Sequence, residues 1–196
     1  MLYIIRHGET EWNVKRLVQG KKDSKLTEKG IGQAKDIAKL LHKINKEMHN
    51  YKFIISTLGR TKQTFEVMKQ ELGINTNCIC EPLLEEISFG IFEGITRNER
   101  LKKFPKEVEL NEQDIWHLVY PEGESRAMLA ERLKTFIKKY KNIENKIVIT
   151  HNAVSIVLRG ILNGQEYIDI LNSEHTHRQD ELYCWDGIKM EKFIAK

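Results

Sequence analysis

A three-layer α/β/α sandwich with a mostly parallel central sheet is the fold class that the sequence predicts. Short apolar runs that are typical of buried strands alternate with longer segments in which apolar residues recur at helical spacing. The 196 residues contain no internal repeat, low-complexity tract or Pro/Gly/Ser-rich linker. A single domain over 1–196 is therefore expected.

The first half of the chain supplies three of the predicted strands and two of the predicted helices. The strands are Leu2–Ile5, Lys52–Ser56 and the short stretch NCICE at 77–81. The first long helix extends from Glu28 to about Ile44, because its apolar residues share one face and Thr27 is a suitable N-cap. A second helix follows from about Arg60 to Leu72.

The second half begins with a region, from Glu86 to Gly123, in which the periodic pattern is broken and one short helix is expected near Arg97–Phe104. Regular structure then resumes. The predicted elements are a long helix that starts at Ser125, a strand at Lys146–Thr150, a helix from about Ala153 to Leu162 and a terminal hairpin with an Asp186-Gly187 turn.

Composition excludes several classes of function. The chain has 32 basic and 28 acidic residues, a net charge of +4, and its lysines are spread along helices instead of clustering with aromatic residues. Nucleic-acid binding is therefore not expected. Apolar runs are too short to span a membrane, and the beginning of the chain does not resemble a signal peptide. Three cysteines without paired spacing favour a reducing cytoplasm.

Polar side chains follow three of the predicted strands where each strand ends. Arg6 and His7 follow the first strand, Arg60 comes shortly after the second, and His151 follows the strand Lys146–Thr150. Because ligands of open α/β sheets bind beyond the carboxyl ends of the strands, these side chains are expected at one rim.

This set of residues favours phosphoryl transfer. Arginine donates two parallel hydrogen bonds to phosphate, and Gly8 would let the backbone approach a ligand closely. The chain has neither a G-x-S-x-G elbow nor a Walker A loop, and no two-metal carboxylate cluster is evident. His175-Thr176-His177 lacks further metal ligands around it. A histidine nucleophile without a metal or other cofactor is the simplest hypothesis.

Six motifs in order resemble the histidine phosphatase superfamily, branch 1, the phosphoglycerate mutase-like proteins. They are RHGETEWN at 6–13, VQGKKDSKLTEKGIGQA at 18–34, STLGRTKQT at 56–64, LEEISFGIFEG at 84–94, PEGES at 121–125 and VITHNAV at 148–154. The resemblance covers most of the chain and implies the phosphoglycerate mutase-like fold. It also implies a small phosphorylated metabolite as the substrate and a monomer or homodimer.

The resemblance also implies residue roles. His7 would be the transiently phosphorylated nucleophile, and Arg6, Arg60 and His151 would complete the phosphate pocket. Glu86 would be the proton donor, with its neighbour Glu85 as the rival. Further substrate contacts are expected from the following residues: Gly8, Asn13, Gln19, Gly20 and Asn152, the last standing where relatives often have glycine.

Elementary chemistry gives these roles definite requirements. A nucleophilic His7 must be neutral, and the positive charges of Arg6 and Arg60 favour that form. Its second ring nitrogen needs an oriented partner, for which a backbone carbonyl near Gly8 is a candidate. A cationic His151 is expected to help neutralise the phosphoryl oxygens, and Glu86 must carry a proton when the leaving group departs.

Three functions remain open at this point. They are a phosphomonoesterase, a cofactor-dependent phosphoglycerate mutase and a non-catalytic module that binds a phosphorylated ligand. The sequence lacks the W-R-R-S-type stretch of the mutases, so hydrolysis is favoured. A lid-like segment is expected around 91–123, and its residues 97–120 would choose the leaving group.

Overall fold

The computed structural model describes residues 1–172 and 176–195, and a six-stranded mixed sheet forms its centre. The strands are β1 (Leu2–Arg6), β2 (Lys52–Ile55), β3 (Cys78–Cys80), β4 (Lys146–Thr150), β5 (Glu181–Trp185) and β6 (Met190–Ile194), in the order β3-β2-β4-β1-β5-β6. The four strands β3, β2, β4 and β1 are parallel, and β5 and β6 are antiparallel to their neighbours. The predicted α/β class with a mostly parallel sheet is confirmed.

The α-helices cover both faces of this sheet. They are α1 (Glu11–Val14), α2 (Glu28–Ile44), α3 (Gly59–Leu72), α4 (Arg97–Lys103), α5 (Pro105–Gln113), α6 (Arg126–Lys139), α7 (Asn152–Leu162) and α8 (Tyr167–Asn172). Short 3₁₀ turns lie at Met48–Asn50, Pro82–Leu84 and Gly90–Phe92. Thr27 and Ser125 cap α2 and α6 as expected, since each hydroxyl accepts the backbone N–H three residues on.

Two apolar cores separate the three layers. Successive strand residues point to opposite faces, so Tyr3 and Ile5 of β1 join the core that includes residues of α2 and α3. Leu2 and Ile4 of the same strand join the second core, which includes residues of α6 and α7. The alternation explains why the central strands appear in the sequence as continuous apolar runs.

The region between the 3₁₀ turn at 90–92 and α6 contains more regular structure than the sequence pattern indicated. The helix expected near Arg97–Phe104 forms as α4, and α5 follows directly with Pro105 at its first turn. Val108, Trp116 and Tyr120 are buried in the same core as α6 and α7. The terminal hairpin also differs, because four residues, 186–189, separate β5 from β6 instead of a two-residue turn.

Gly8 is required by close packing within the protein. A Cβ atom at this position would lie 2.3 Å from the Gly30 carbonyl oxygen in the first turn of α2. The Gly8 N–H donates to Thr64 Oγ1 at 3.2 Å, so it already has an internal partner. Packing against Gly30 is therefore sufficient to require glycine at this position.

We expect Gly8→Ala to lower the free energy of unfolding by about 1–3 kcal/mol, because the new methyl group cannot fit without a backbone shift. Gly32→Ala in α2 is the matched control, since a Cβ there meets nothing within 4 Å and alanine favours helix. Urea unfolding at pH 7.5 measures both variants. Equal stability of Gly8→Ala and the wild type would contradict the steric argument.

Candidate active site

The carboxyl ends of β1, β2 and β4 meet at one edge of the sheet. Arg6 ends β1 and His7 follows it, Arg60 lies in the first turn of α3 after β2, and His151 is the N-cap of α7 after β4. The rings of His7 and His151 have their centroids 5.2 Å apart. A cleft of about 300 Å³ opens beside them, lined by Arg6, His7, Asn13, Leu17, Val18, Gln19, Gly20, Arg60, Glu86, Phe89, Arg97 and Arg100.

His7 is held in the tautomer that a nucleophile needs. Its Nδ1 atom lies 2.8 Å from the Gly8 carbonyl oxygen, and because a carbonyl only accepts, Nδ1 carries the proton. The Nε2 atom therefore keeps its lone pair. Burial lowers the pKa of His7 well below its usual value, and the charges of Arg60 and Arg6 lower it further. The geometry agrees with both expectations for a neutral, oriented imidazole.

Arg6 is oriented by the backbone of a distant segment. Its Nη1 atom donates to the His177 carbonyl at 2.7 Å, and its buried Nε has no hydrogen-bond partner among the described residues. The His177 N–H in turn donates to Asn152 Oδ1 at 2.9 Å. Asn152 is not among the residues that line the cleft, and its amide oxygen supports Arg6 through the His177 backbone.

The His177 side chain is a structural part of this network. The ring is buried, its Nε2 donates to the Glu181 carbonyl at 2.8 Å, and its Nδ1 accepts from the Ser155 hydroxyl at 2.7 Å. Burial lowers the pKa of His177 to about 3. His175, the other histidine of the H-x-H stretch, lies outside the described residues. Within 1–172 and 176–195, no group of three or more His, Cys, Asp or Glu side chains could hold a metal ion.

Arg60 is almost fully engaged by the protein. Four of its five N–H bonds donate to His151 Nδ1, the Lys22 carbonyl, Asp23 Oδ1 and the Gly20 carbonyl. Asp23 also accepts the backbone N–H groups of Gly59 and Arg60 at the start of α3. Sequence reasoning missed this carboxylate, although its position inside the 18–34 motif was a signal. The remaining N–H of Arg60 Nη2 is the one left for a ligand.

His151 differs from the expectation that it is cationic. Its Nδ1 accepts from Arg60 Nε at 3.2 Å, and a guanidinium only donates, so Nδ1 carries no proton. Its Nε2 donates to Ser56 Oγ at 2.8 Å. Burial, followed by the charge of Arg60, holds the pKa of His151 well below its usual value. The prediction of a cationic His151 is wrong for the protein without a ligand.

The structure separates the two adjacent glutamates. Glu86 is 8% exposed and lines the cleft, and its carboxylate accepts the backbone N–H groups of Ile87 at 3.0 Å and Ala153 at 3.4 Å. Glu85 turns away to the Thr57 hydroxyl and to Lys21 Nζ. Of the two, only Glu86 is placed to exchange a proton with a ligand in the cleft.

The loop that carries Gln19 and Gly20 is held from both sides. Gln19 Nε2 donates to Thr10 Oγ1 at 2.6 Å, and Asn13 Oδ1 accepts the Thr10 N–H at 3.0 Å. Glu93 accepts the backbone N–H groups of Lys21 and Lys22 from the opposite side. Glu93 lies inside the 84–94 motif, but the sequence indicated no role for it. Its anchoring of this loop is apparent only from the three-dimensional contacts.

Buried neutral histidines make the unfolding free energy depend on pH. The pKa values of His7, His151 and His177 are lowered in the folded protein, whereas an unfolded histidine titrates near pH 6.5. Below that pH the unfolded chain binds protons at these histidines, whereas the folded chain does not. The contribution of these three histidines to the free energy of unfolding is therefore fully present above about pH 6.5 and is lost as the pH falls below that value.

We expect each of the three histidines to cost about 1.4 kcal/mol of unfolding free energy for every pH unit below 6.5. Urea unfolding at several pH values between 7.5 and 5.0 measures the slope of the unfolding free energy against pH. This range lies above the pH at which carboxylates usually titrate. His177→Asn should make the slope shallower by about 1.4 kcal/mol per pH unit, the contribution of one proton. A slope of zero in the wild type would contradict this prediction.

The sequence matches a protein-family model and curated proteins. The family model described as "Histidine phosphatase superfamily (branch 1)" matches residues 2–179. A curated relative from Escherichia fergusonii, named "Probable phosphoglycerate mutase GpmB", is 36% identical over 137 residues, 67% of this chain. The match covers 59% of that relative, so the chain spans less than two thirds of its length.

Solved structures with a similar fold include two phosphatases. The alpha-ribazole phosphatase from Shigella flexneri superimposes with a TM-score of 0.82 at 22% identity, over 99% of this chain and 95% of that one. A mycobacterial glucosyl-3-phosphoglycerate phosphatase, solved in complex with VO3, gives a TM-score of 0.80 at 21% identity, over 99% and 97% of the two chains. No helix of the described residues is long and apolar enough to cross a membrane.

Proposed function

Since this chain belongs to the histidine phosphatase superfamily, branch 1, we propose that it hydrolyses phosphate monoesters of small metabolites through a phosphohistidine at His7, without a metal. The observation that carries the proposal is the tautomer of His7. Nδ1 donates to the Gly8 carbonyl, so Nε2 keeps its lone pair at the edge of a cleft that is also lined by Arg6, Arg60 and the buried Glu86.

In the first step, Nε2 of His7 attacks phosphorus while the bond from phosphorus to the ester oxygen breaks. Protonated Glu86 gives its proton to the departing alkoxide, so an alcohol leaves. In the second step, Glu86 takes a proton from water as that water attacks the phosphohistidine. The bond between phosphorus and Nε2 breaks and its electron pair returns to Nε2, so phosphate leaves, neutral His7 is regenerated and Glu86 is protonated again.

Arg6 and Arg60 supply the electrostatic stabilisation that phosphoryl transfer requires. The buried Nε of Arg6 has no partner among the described residues, and a phosphoryl oxygen would provide the missing acceptor. Arg60 keeps one N–H for the ligand while its other donors hold it in place. Ser56 and Arg60 fix the neutral His151 ring next to His7.

A cofactor-dependent phosphoglycerate mutase is the second candidate, because the curated relatives carry that name. A mutase must keep water away from its phosphohistidine while the intermediate turns around. The motif set lacks the W-R-R-S-type stretch of the mutases, and the solved structures with a similar fold include named phosphatases. Hydrolysis is therefore the first candidate.

Two assays test the proposal. Release of p-nitrophenol from p-nitrophenyl phosphate at pH 5–7 should continue in excess EDTA, and complete loss of activity in EDTA would exclude the reaction without a metal. Phosphorus NMR with 3-phosphoglycerate, with and without 2,3-bisphosphoglycerate, should show inorganic phosphate as the product. Isomerisation that depends on the bisphosphate, without phosphate release, would establish the mutase instead.

A further inference from the structure

Two arginines from α4 form part of the cleft wall on the side of the lid-like segment. Arg97 and Arg100 are three residues apart, so they lie on one face of the helix, and both line the cleft together with Leu17, Val18 and Phe89. The other two cations of α4 are placed differently. Lys102 and Lys103 are exposed, as Arg97 is, but they do not line the cleft, and Lys103 pairs with Glu99 at 4.0 Å.

Neither arginine of the cleft wall is neutralised by the protein. Within the part of the chain that the structure describes, no carboxylate forms an ion pair with Arg97 or Arg100, whereas Arg60 pairs with Asp23 and Arg132 with Glu124. The Arg100 guanidinium is held over the Phe92 ring, 5.3 Å from its centroid.

The Arg100 side chain also carries an unused donor. Its Nε is buried without a hydrogen-bond partner among the described residues, in the same way as Nε of Arg6. A buried donor without an acceptor is costly, and a bound anion would relieve that cost. Arg6 lines the cleft beside His7, and Arg100 lines it from α4, so two arginines of the cleft wall have an Nε without a partner among the described residues.

From these observations we propose that Arg97 and Arg100 form a second anion subsite, which selects substrates that carry a further anionic group besides the phosphate that is removed. The proposal rests on the proposed function and specifies its substrate class. A cleft of about 300 Å³ is at the small end of ligand sites, so the second anion would lie only a few bonds from the phosphate ester. A carboxylate and a second phosphate share the required chemistry.

Matched substrates that differ in one group test this subsite. 2-Phosphoglycolate is compared with ethyl phosphate for a carboxylate, and propane-1,3-diyl bisphosphate with propyl phosphate for a second phosphate. The wild type should show a kcat/KM at least about tenfold higher for the member with the additional anion, because charge-assisted hydrogen bonds to arginine are strong. Added salt should reduce the preference.

The decisive variant is the double substitution Arg97→Gln with Arg100→Gln. In this variant, kcat/KM for the ester with the additional anion should be close to kcat/KM for its matched partner, so that their ratio approaches one. Lys102→Gln with Lys103→Gln removes the same charge from the same helix and should keep the wild-type ratio. A wild-type ratio near one in both pairs, or an equal loss in the lysine variant, would overturn the subsite. A preference in only one pair identifies which second anion the subsite takes.

Calorimetry distinguishes failure of the subsite from failure of the proposed function. Should the wild type hydrolyse none of the four esters, the proposed phosphatase activity is wrong, and binding of the same ligands to the wild type still tests the subsite. Tighter binding of 2-phosphoglycolate than of ethyl phosphate, lost in the arginine double variant, supports it. Equal binding of the two ligands overturns it.

Discussion

His7→Ala is expected to reduce kcat for p-nitrophenyl phosphate by about 10⁴-fold or more, since the variant lacks the atom that accepts the phosphoryl group. In the structure this atom is Nε2, because Nδ1 is committed to the Gly8 carbonyl. Rapid quenching of the wild type with a ³²P-labelled monoester should trap a protein-bound phosphate that is labile in acid and stable in alkali. The variant should trap none.

His49→Ala is the matched control for this experiment. His49 is exposed in the 3₁₀ turn before β2, at the end of the strand opposite the cleft, and its removal should leave kcat unchanged. Circular dichroism establishes that both variants are folded. Substantial turnover by folded His7→Ala, or trapped phosphate in it, would show that another residue is the nucleophile.

Glu86→Gln is expected to lower kcat by about 10²- to 10⁴-fold, the usual contribution of a general acid and base. The loss should depend on the leaving group, because an alkoxide needs a proton more than p-nitrophenolate does. We therefore expect the variant to lose more activity on ethyl phosphate than on p-nitrophenyl phosphate. Steady-state kinetics with the two esters measure this difference.

Glu85→Gln supplies the control from the neighbouring position. The Glu85 side chain contacts Thr57 and Lys21 and does not line the cleft, so its substitution should change both activities by less than about threefold. If Glu85→Gln showed the leaving-group dependence and Glu86→Gln did not, the assignment of the proton donor would be reversed. Equal losses on both esters would indicate a positioning role for Glu86.

The elements that carry the site were predictable because their signals are local. The apolar runs of β1, β2 and β4 are short and bounded, and the rule that parallel strands end at one edge then places Arg6, His7 and His151 together. The helix α5 was missed, although Pro105 is a residue that favours a first helical turn. The chain there has little apolar periodicity, and burial of Val108 became apparent only in the tertiary structure.

What the sequence could not provide is the set of partners from distant segments. Gly8 has to be glycine because Gly30, 22 positions further on, packs against it. Asn152 stands in a familiar motif, yet its amide supports Arg6 through the His177 backbone. The charge of His151 follows from the Arg60 donor it faces, and the residue type alone does not specify such a contact.

The position of β1 within the sheet has a consequence for amide hydrogen exchange. β1 is hydrogen-bonded to β4 on one side and to β5 on the other, and its side chains enter both cores. Its amides should exchange only when the whole protein unfolds, whereas those of α4 should exchange through smaller local openings. We therefore expect the strand that presents His7 to be among the last structure to open, and the helix that carries Arg97 and Arg100, which has no buried residues, to open earlier.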